Sequence, residues 1–237
     1  MMNSLLIKKE LHKLAKPHKI PIYQNFFKTG PGDYGEGDIF IGVTVPDTRK
    51  VAQKFVDVKR EELFSLLKSK IHEERMVALM ILSYQYAKTK DKKEHKAIVD
   101  FYLKNRYASN NWDLIDCIVD RILGVWLIDK DKSILYEFAR SDNLWERRMA
   151  IISTYYFIKN KKFDDTLKIS EILLNDKHDL IHKAVGWMLR ETGKRDEKTL
   201  REFLRKHYKS MPRTMLRYAI ERFPEKERKV YLKGEIK

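Results

Sequence analysis

The sequence predicts an all-α chain organised as an α-solenoid, and three observations lead there. From residue 60 onward apolar residues recur with the period of amphipathic helices. Strand-like alternation is confined to a short extended stretch at 39–45. A large apolar residue also recurs at the start of every second predicted helix, at Trp112, Trp145, Leu180 and Met211, with spacings of 33, 35 and 31 residues. A repeated helical hairpin is the physical meaning, because one hairpin cannot bury its apolar face and neighbours must stack on it. The tetratricopeptide pattern is missing, so degenerate HEAT-like repeats fit better.

In order along the chain, Leu5, Leu6, Leu11 and Leu14 predict a first helix over 4–15 that ends before Pro17. A short helix over 22–28 follows. The loop 29–42 then holds five of the nine glycines. It has neither the Gly-Lys-Ser/Thr of a P-loop nor a strand leading into Gly-x-Gly-x-x-Gly, and the carboxylates of Asp33, Glu36 and Asp38 would repel phosphates. It is therefore expected to be a structured connector. Pro46 suits the first turn of a helix over 46–56. Beyond it the spacing predicts helices over 60–69, 72–88, 93–105, 112–128, 132–140, 144–159, 164–174, 180–191, 197–209 and 212–222, joined by short polar turns. The whole reads as one repeat domain over 1–237. Its parts are N-terminal helices and connector over 1–58, helical repeats over 59–223 and a tail over 224–237.

Composition narrows the function classes. The formal net charge is +15, with 34 acidic residues mixed among 49 basic ones, which implies a folded surface with a basic face and attraction to polyanions such as nucleic acid. No apolar run approaches the roughly 18 residues of a membrane span, and residues 1–16 lack the uninterrupted apolar core of a signal peptide. No membrane association is expected, and the expected location is cytoplasmic. One cysteine, Cys117, excludes an internal disulfide framework and a cysteine-based zinc site. His178 and His182 lie one turn apart without the Glu of a His-Glu-x-x-His motif, and His178 reads as a helix-start residue. No metal or cofactor is expected.

The most informative stretch is Asn110-Asn111-Trp112-Asp113-Leu114-Ile115-Asp116. An asparagine caps the helix, and Asp116 falls one turn after Trp112, just off the apolar stripe, so that the two can line one rim. Asp113 in the first turn offsets the helix dipole. Read structurally, Trp112 is core and Asp116 an ion-pair partner. In a solenoid, however, the equivalent second helices share a surface, which places Trp112 and Asp116, then Arg148, then Lys183 and Trp187 on a common concave, basic groove. Cations with exposed rings suit a nucleic-acid backbone. A carboxylate among them is wrong for binding alone and points to chemistry.

Four separated segments carry a resemblance. Residues 111–116 (Asn-Trp-Asp-Leu-Ile-Asp), 141–151 (Ser-Asp-Asn-Leu-Trp-Glu-Arg-Arg-Met-Ala-Ile), 182–191 (His-Lys-Ala-Val-Gly-Trp-Met-Leu-Arg-Glu) and 40–49 (Phe-Ile-Gly-Val-Thr-Val-Pro-Asp-Thr-Arg) resemble, in order, the motifs of the AlkD-type DNA alkylation repair glycosylases. The similarity spans about residues 20–220. It implies a HEAT-like fold whose concave face holds duplex DNA, and hydrolytic removal of positively charged N3- or N7-alkylated purines. By motif position the catalytic Asp falls on Asp116, the groove tryptophans on Trp112 and Trp187, and the phosphate-contacting arginine on Arg148, with Lys183 beside it. The family is understood to leave the damaged base outside a tight pocket. Two departures are visible: Asn111 stands where some members carry another Trp, and the glycine-rich loop is fuller. No lysine is evident as a Schiff-base nucleophile, so a monofunctional glycosylase is expected. Its partner would be duplex DNA containing alkylated bases, with no obligate protein partner and a monomeric state. Two other readings stay open: a non-catalytic solenoid that binds damaged or structured nucleic acid, and a scaffold whose groove takes an acidic peptide.

Overall fold

The computed structural model describes residues 3–236, and every regular element among them is helical. The stretch at 39–45 contributes one isolated parallel bridge, between Ile39 and Ile71. The chain divides into two compact units, one ending at Ile118 and the other beginning at Val119.

In the first unit, α1 (Ser4–His12) starts at Asn3, whose side chain accepts the Leu6 N–H. After α2 (Ile20–Phe26), α3 (Val45–Lys54) starts at Thr44, which accepts the Asp47 N–H, with Pro46 in its first turn. Helices α4 (Arg60–Leu67), α5 (His72–Lys88), α6 (Lys92–Lys104) and the short α7 (Trp112–Asp116) follow. Everything in this unit is arranged around α5, which packs on α1, α3, α4, α6 and α7 and is buried from His72 through Ser83.

A helix buried on all sides is expected to be apolar, yet α5 opens with His72-Glu73-Glu74-Arg75. Buried ions need partners, and each finds them. Glu74 takes Lys8 at 2.9 Å and His12 at 2.8 Å, which ties α1 to α5. Glu73 accepts the N–H groups of Ile41, Gly42 and Val43 at 2.9 to 3.2 Å. Gly42 is at φ +80, and a Cβ there would lie 2.2 Å from the Lys16 carbonyl oxygen, so only glycine lets this segment close down. Arg75 gives N–H bonds to the Ser69 and Ala108 carbonyls and to Asp38 and Asn110.

His72 donates from Nδ1 to Asp38 at 3.0 Å and from Nε2 to Asp113 at 2.9 Å. Both ring nitrogens face acceptors, so the ring is an imidazolium. Burial opposes that charge, but Asp113 and Asp38 outweigh it and hold the His72 pKa at about 9, above its ordinary 6.5. Asp38 is the carboxylate with which the glycine-rich loop grips α5. Burial would raise its pKa, and the hydrogen bond from His72 and the charge of Arg75 hold it below the ordinary value. The connector expected at 30–42 is thus a clamp.

The second unit opens with a π-helical turn, Asp120–Gly124, running into α8 (Val125–Leu127). Helices α9 (Ser133–Ala139), α10 (Leu144–Lys159), α11 (Asp164–Ile172), α12 (Asp179–Gly193), α13 (Glu197–His207), α14 (Arg213–Ala219) and α15 (Glu225–Lys233) follow. Two layers form. The π turn, α10, α12 and α14 pack in succession, while α9 and α11 pack on each other and on α10 or α12. This is the stacking of helical hairpins that defines an α-solenoid. A close approach recurs with it: a Cβ on Gly124 would sit 2.5 Å from the Ser153 carbonyl oxygen, and one on Gly186 2.5 Å from that of Met215.

Two sequence expectations are corrected here. The single helix over 112–128 is broken into α7, a turn at Cys117 and Ile118, the π turn and α8. The apolar residues keep their spacing across the break, so periodicity could not reveal it. The tail over 224–237 is largely the helix α15, started after Pro224, ended by Gly234 at φ +79, and anchored by Tyr231 against Tyr208 and Phe223.

The His72 assignment predicts a pH signature. A pKa raised on folding from 6.5 to about 9 adds stability that is complete below 6.5 and is lost as pH rises through 9. Urea unfolding of the wild type between about pH 6 and pH 10 should show that decline. His72→Gln should be less stable by about 3–5 kcal/mol at the acid end, because two buried carboxylates lose their cation, and its profile should be flatter. A wild-type curve that is flat over this range would contradict the charged bridge.

Candidate functional site

The short helix α7 is held from beneath. The Asn111 side chain accepts the Trp112 N–H at 2.8 Å and reaches Asp38 at 3.5 Å, and Asp113 accepts the Leu114 N–H at 2.9 Å while taking His72 on its other oxygen. Leu114 and Ile115 go into the core. Trp112 and Asp116, one turn apart, are left half-buried on the other side, as the spacing predicts. Asp113 is therefore more than a counter to the helix dipole: it is buried, and it fixes the rotation of α7 about its axis.

Trp112 is built into an aromatic cluster. Its ring stacks on Phe27 at 5.2 Å and meets Phe26 edge-on at 5.5 Å, and Phe27 stacks in turn on Phe40 at 5.0 Å. Phe40 stacks on the His72 ring at 4.5 Å, so the cluster rests on the buried imidazolium. Sequence reasoning missed this. The rings come from residues 23–27, 40 and 112, and no local pattern says that they meet.

In the second unit α10 and α12 bring the remaining predicted residues together. Arg148 is only 5% exposed, and its Nη1 donates to the Leu180 carbonyl at 2.5 Å. A phosphate contact of the kind expected for it would have to reach a guanidinium that is mostly covered. The same role is played by Arg75, whose Nε donates to the Ala108 carbonyl just before α7. The Arg-Met echo in the sequence thus marks a tie from one second helix to the next. Lys183 is half-buried and pairs with Asp179 at 2.6 Å. Trp187 lies 5.8 Å from Tyr155, whose ring also carries Lys159 at 4.6 Å and Arg195 at 5.9 Å. Rings interleaved with cations suit a sugar–phosphate backbone. Tyr155, Lys159 and Arg195 were not singled out from the sequence, although they lie at helical spacing around the Trp187 motif.

His178 caps α12, its Nδ1 accepting the Leu180 N–H at 3.1 Å, as its place in the sequence suggests. The Nε2 of His182 contacts the Asp176 carbonyl. Among the described residues no group of three or more His, Cys, Asp or Glu side chains is placed to hold a metal ion. No described helix is long and apolar enough to cross a membrane.

Chemically, α7 presents a half-buried carboxylate next to an indole, a pair able to stabilise positive charge developing nearby. Comparison with known proteins is consistent with such a role. No curated protein matches the chain. A solved structure described as a predicted DNA alkylation repair enzyme from Enterococcus faecalis shares the fold, with a TM-score of 0.68 at 15% identity, covering 89% of this chain and 97% of that one. A family model for DNA alkylation repair enzymes matches residues 7–223, which takes in every helix discussed above except α15 and the first residues of α1. The chain belongs to the DNA alkylation repair enzyme family.

Proposed function

We propose that the protein is a monofunctional DNA glycosylase that hydrolyses the N-glycosidic bond of positively charged N3- or N7-alkylated purines in duplex DNA. The observation that carries this reading is the pairing of Asp116 with Trp112 on a helix whose rotation is fixed by buried charge, in a chain of net charge +15. A repair enzyme that only bound DNA would gain nothing from a carboxylate held towards a polyanion.

The chemistry suits the residues. An alkylated purine of this class already carries a positive charge and leaves without a general acid. As the bond from C1′ to the base nitrogen breaks, its electron pair goes to the base, which becomes neutral, and positive charge builds on the deoxyribose. Asp116 stabilises that charge and orients the water that adds to C1′, whose proton passes to the carboxylate or to solvent. The ring faces of Trp112 and Trp187 favour the developing cation. Lys183 meets a backbone phosphate. Arg148, through its bond to the Leu180 carbonyl, holds the first turn of α12 in place beneath it and keeps any phosphate contact to its outer edge. With no lysine nucleophile in the scheme, the sugar–phosphate backbone stays intact.

Duplex DNA treated with a methylating agent should release 3-methyladenine or 7-methylguanine when incubated with the wild-type protein. The strand should break only on later heating or alkali. Tight duplex binding without base release would leave the non-catalytic binding module as the correct reading, and strand scission by the pure protein would rule out the monofunctional mechanism. Lys183→Ala should leave the melting temperature nearly unchanged. It should weaken duplex binding uniformly across sequences and reduce the log–log salt slope by about 0.9, the contribution of one phosphate contact. An unchanged slope would remove Lys183 from the DNA-contacting set.

A further inference from the structure

Against Trp112 in the first unit lies a cavity of about 270 Å³, walled by the rings of Tyr23, Phe26, Phe27, Phe40 and Trp112. Its volume is close to the lower end of small-molecule sites, roughly 300 Å³, and suits one or two fused rings. Phe26 is its outer wall: at 60% exposed it is far more open than an apolar core residue, as is Ile22 one turn earlier at 62%. Exposed apolar side chains beside a formed cavity call for a ligand that covers them.

The electrostatics of the cavity are unlike those of the rest of the protein. Among the described residues no lysine or arginine lines it, whereas Glu73 and Asp113 do. Asp113 and Asp38 are balanced by His72 and Arg75. Glu73 is not. It is 3% exposed, its carboxylate is met by backbone N–H groups, and among the described residues no lysine or arginine forms an ion pair with it. Burial pushes its pKa above the ordinary value, against the pull of those N–H groups. Aromatic faces around an uncompensated buried carboxylate are complementary to a flat cation.

We propose that this cavity binds a planar N-alkylated heteroaromatic cation of one or two rings, the alkylated base itself, between the aromatic walls and Glu73. The identity of the ligand rests on the glycosylase reading, and a seat for the base departs from the open arrangement that the family resemblance implies. The site selects for charge: the same ring without its alkyl group is neutral and gains only the apolar contact.

Cys117 lines the cavity and is the sole cysteine, so its alkylation by iodoacetamide reports occupancy. At about pH 8, N-methylquinolinium, a permanent bicyclic cation, should slow Cys117 labelling at least about tenfold at saturation, with calorimetry giving the same dissociation constant. Quinoline, uncharged at that pH, should bind at least about tenfold more weakly. Phe26→Ala removes an exposed wall without opening the core, so it should melt like the wild type and weaken protection about tenfold. Equal protection by both probes, or by neither, overturns the proposal. The two readings fail separately. Base release without protection by the cation refutes the cavity alone. Charge-selective protection in a protein that releases no base upholds the cavity and refutes the glycosylase.

Discussion

A histidine sealed between two carboxylates is the interaction on which the first unit depends. His72 joins Asp38, from the glycine-rich loop, to Asp113, from α7, and Arg75 holds Asp38 from its other side. Three segments far apart in sequence converge on the first turn of one buried helix. Such a network costs desolvation, and its worth lies in specificity more than in stability. Here it fixes the rotation of a five-residue helix that is too short to be stable by itself. Any looser support would let Trp112 and Asp116 turn away from whatever they act on.

The same logic recurs with different chemistry in the second unit. Arg148 bonds the carbonyl of Leu180 at the start of α12, and Gly124 and Gly186 let neighbouring second helices approach backbone to side chain. These contacts hold successive second helices in register, while the outer helices cover them. Exposed positions on the second helices are then free to vary. That division of labour is how a repeat fold carries chemistry on a few side chains and stability on the rest.

How much of this was legible in the sequence depended on range. The helices over 72–88 and 144–159 are found where periodicity places them, and the recurring large residues mark the starts of the second helices, with Trp112 opening α7 and Trp145 and Leu180 in the first turns of α10 and α12. The rim formed by Trp112 and Asp116 could be read because it is local, one helical turn. The aromatic cavity and the Asp38–His72–Asp113 chain could not, since their members are brought together only by tertiary folding. The break after α7 was hidden by an apolar pattern that continues through it, and α15 by a segment with so few apolar residues that no stripe could be read. Arg148 was correctly singled out as special, but its burial shows a structural tie that a motif alone cannot distinguish from a phosphate contact.

The account makes two carboxylates three residues apart do different work: Asp113 holds the helix, and Asp116 acts on the substrate. Single-turnover base release from methylated duplex, measured beside the unfolding free energy for Asp113→Asn and Asp116→Asn, tests this most directly. The account predicts that Asp116→Asn folds and binds DNA like the wild type but loses base release by at least about a hundredfold. It predicts that Asp113→Asn loses about 3 kcal/mol of stability yet retains most of its rate while folded. Full activity in Asp116→Asn, or loss of rate without loss of stability in Asp113→Asn, would contradict it.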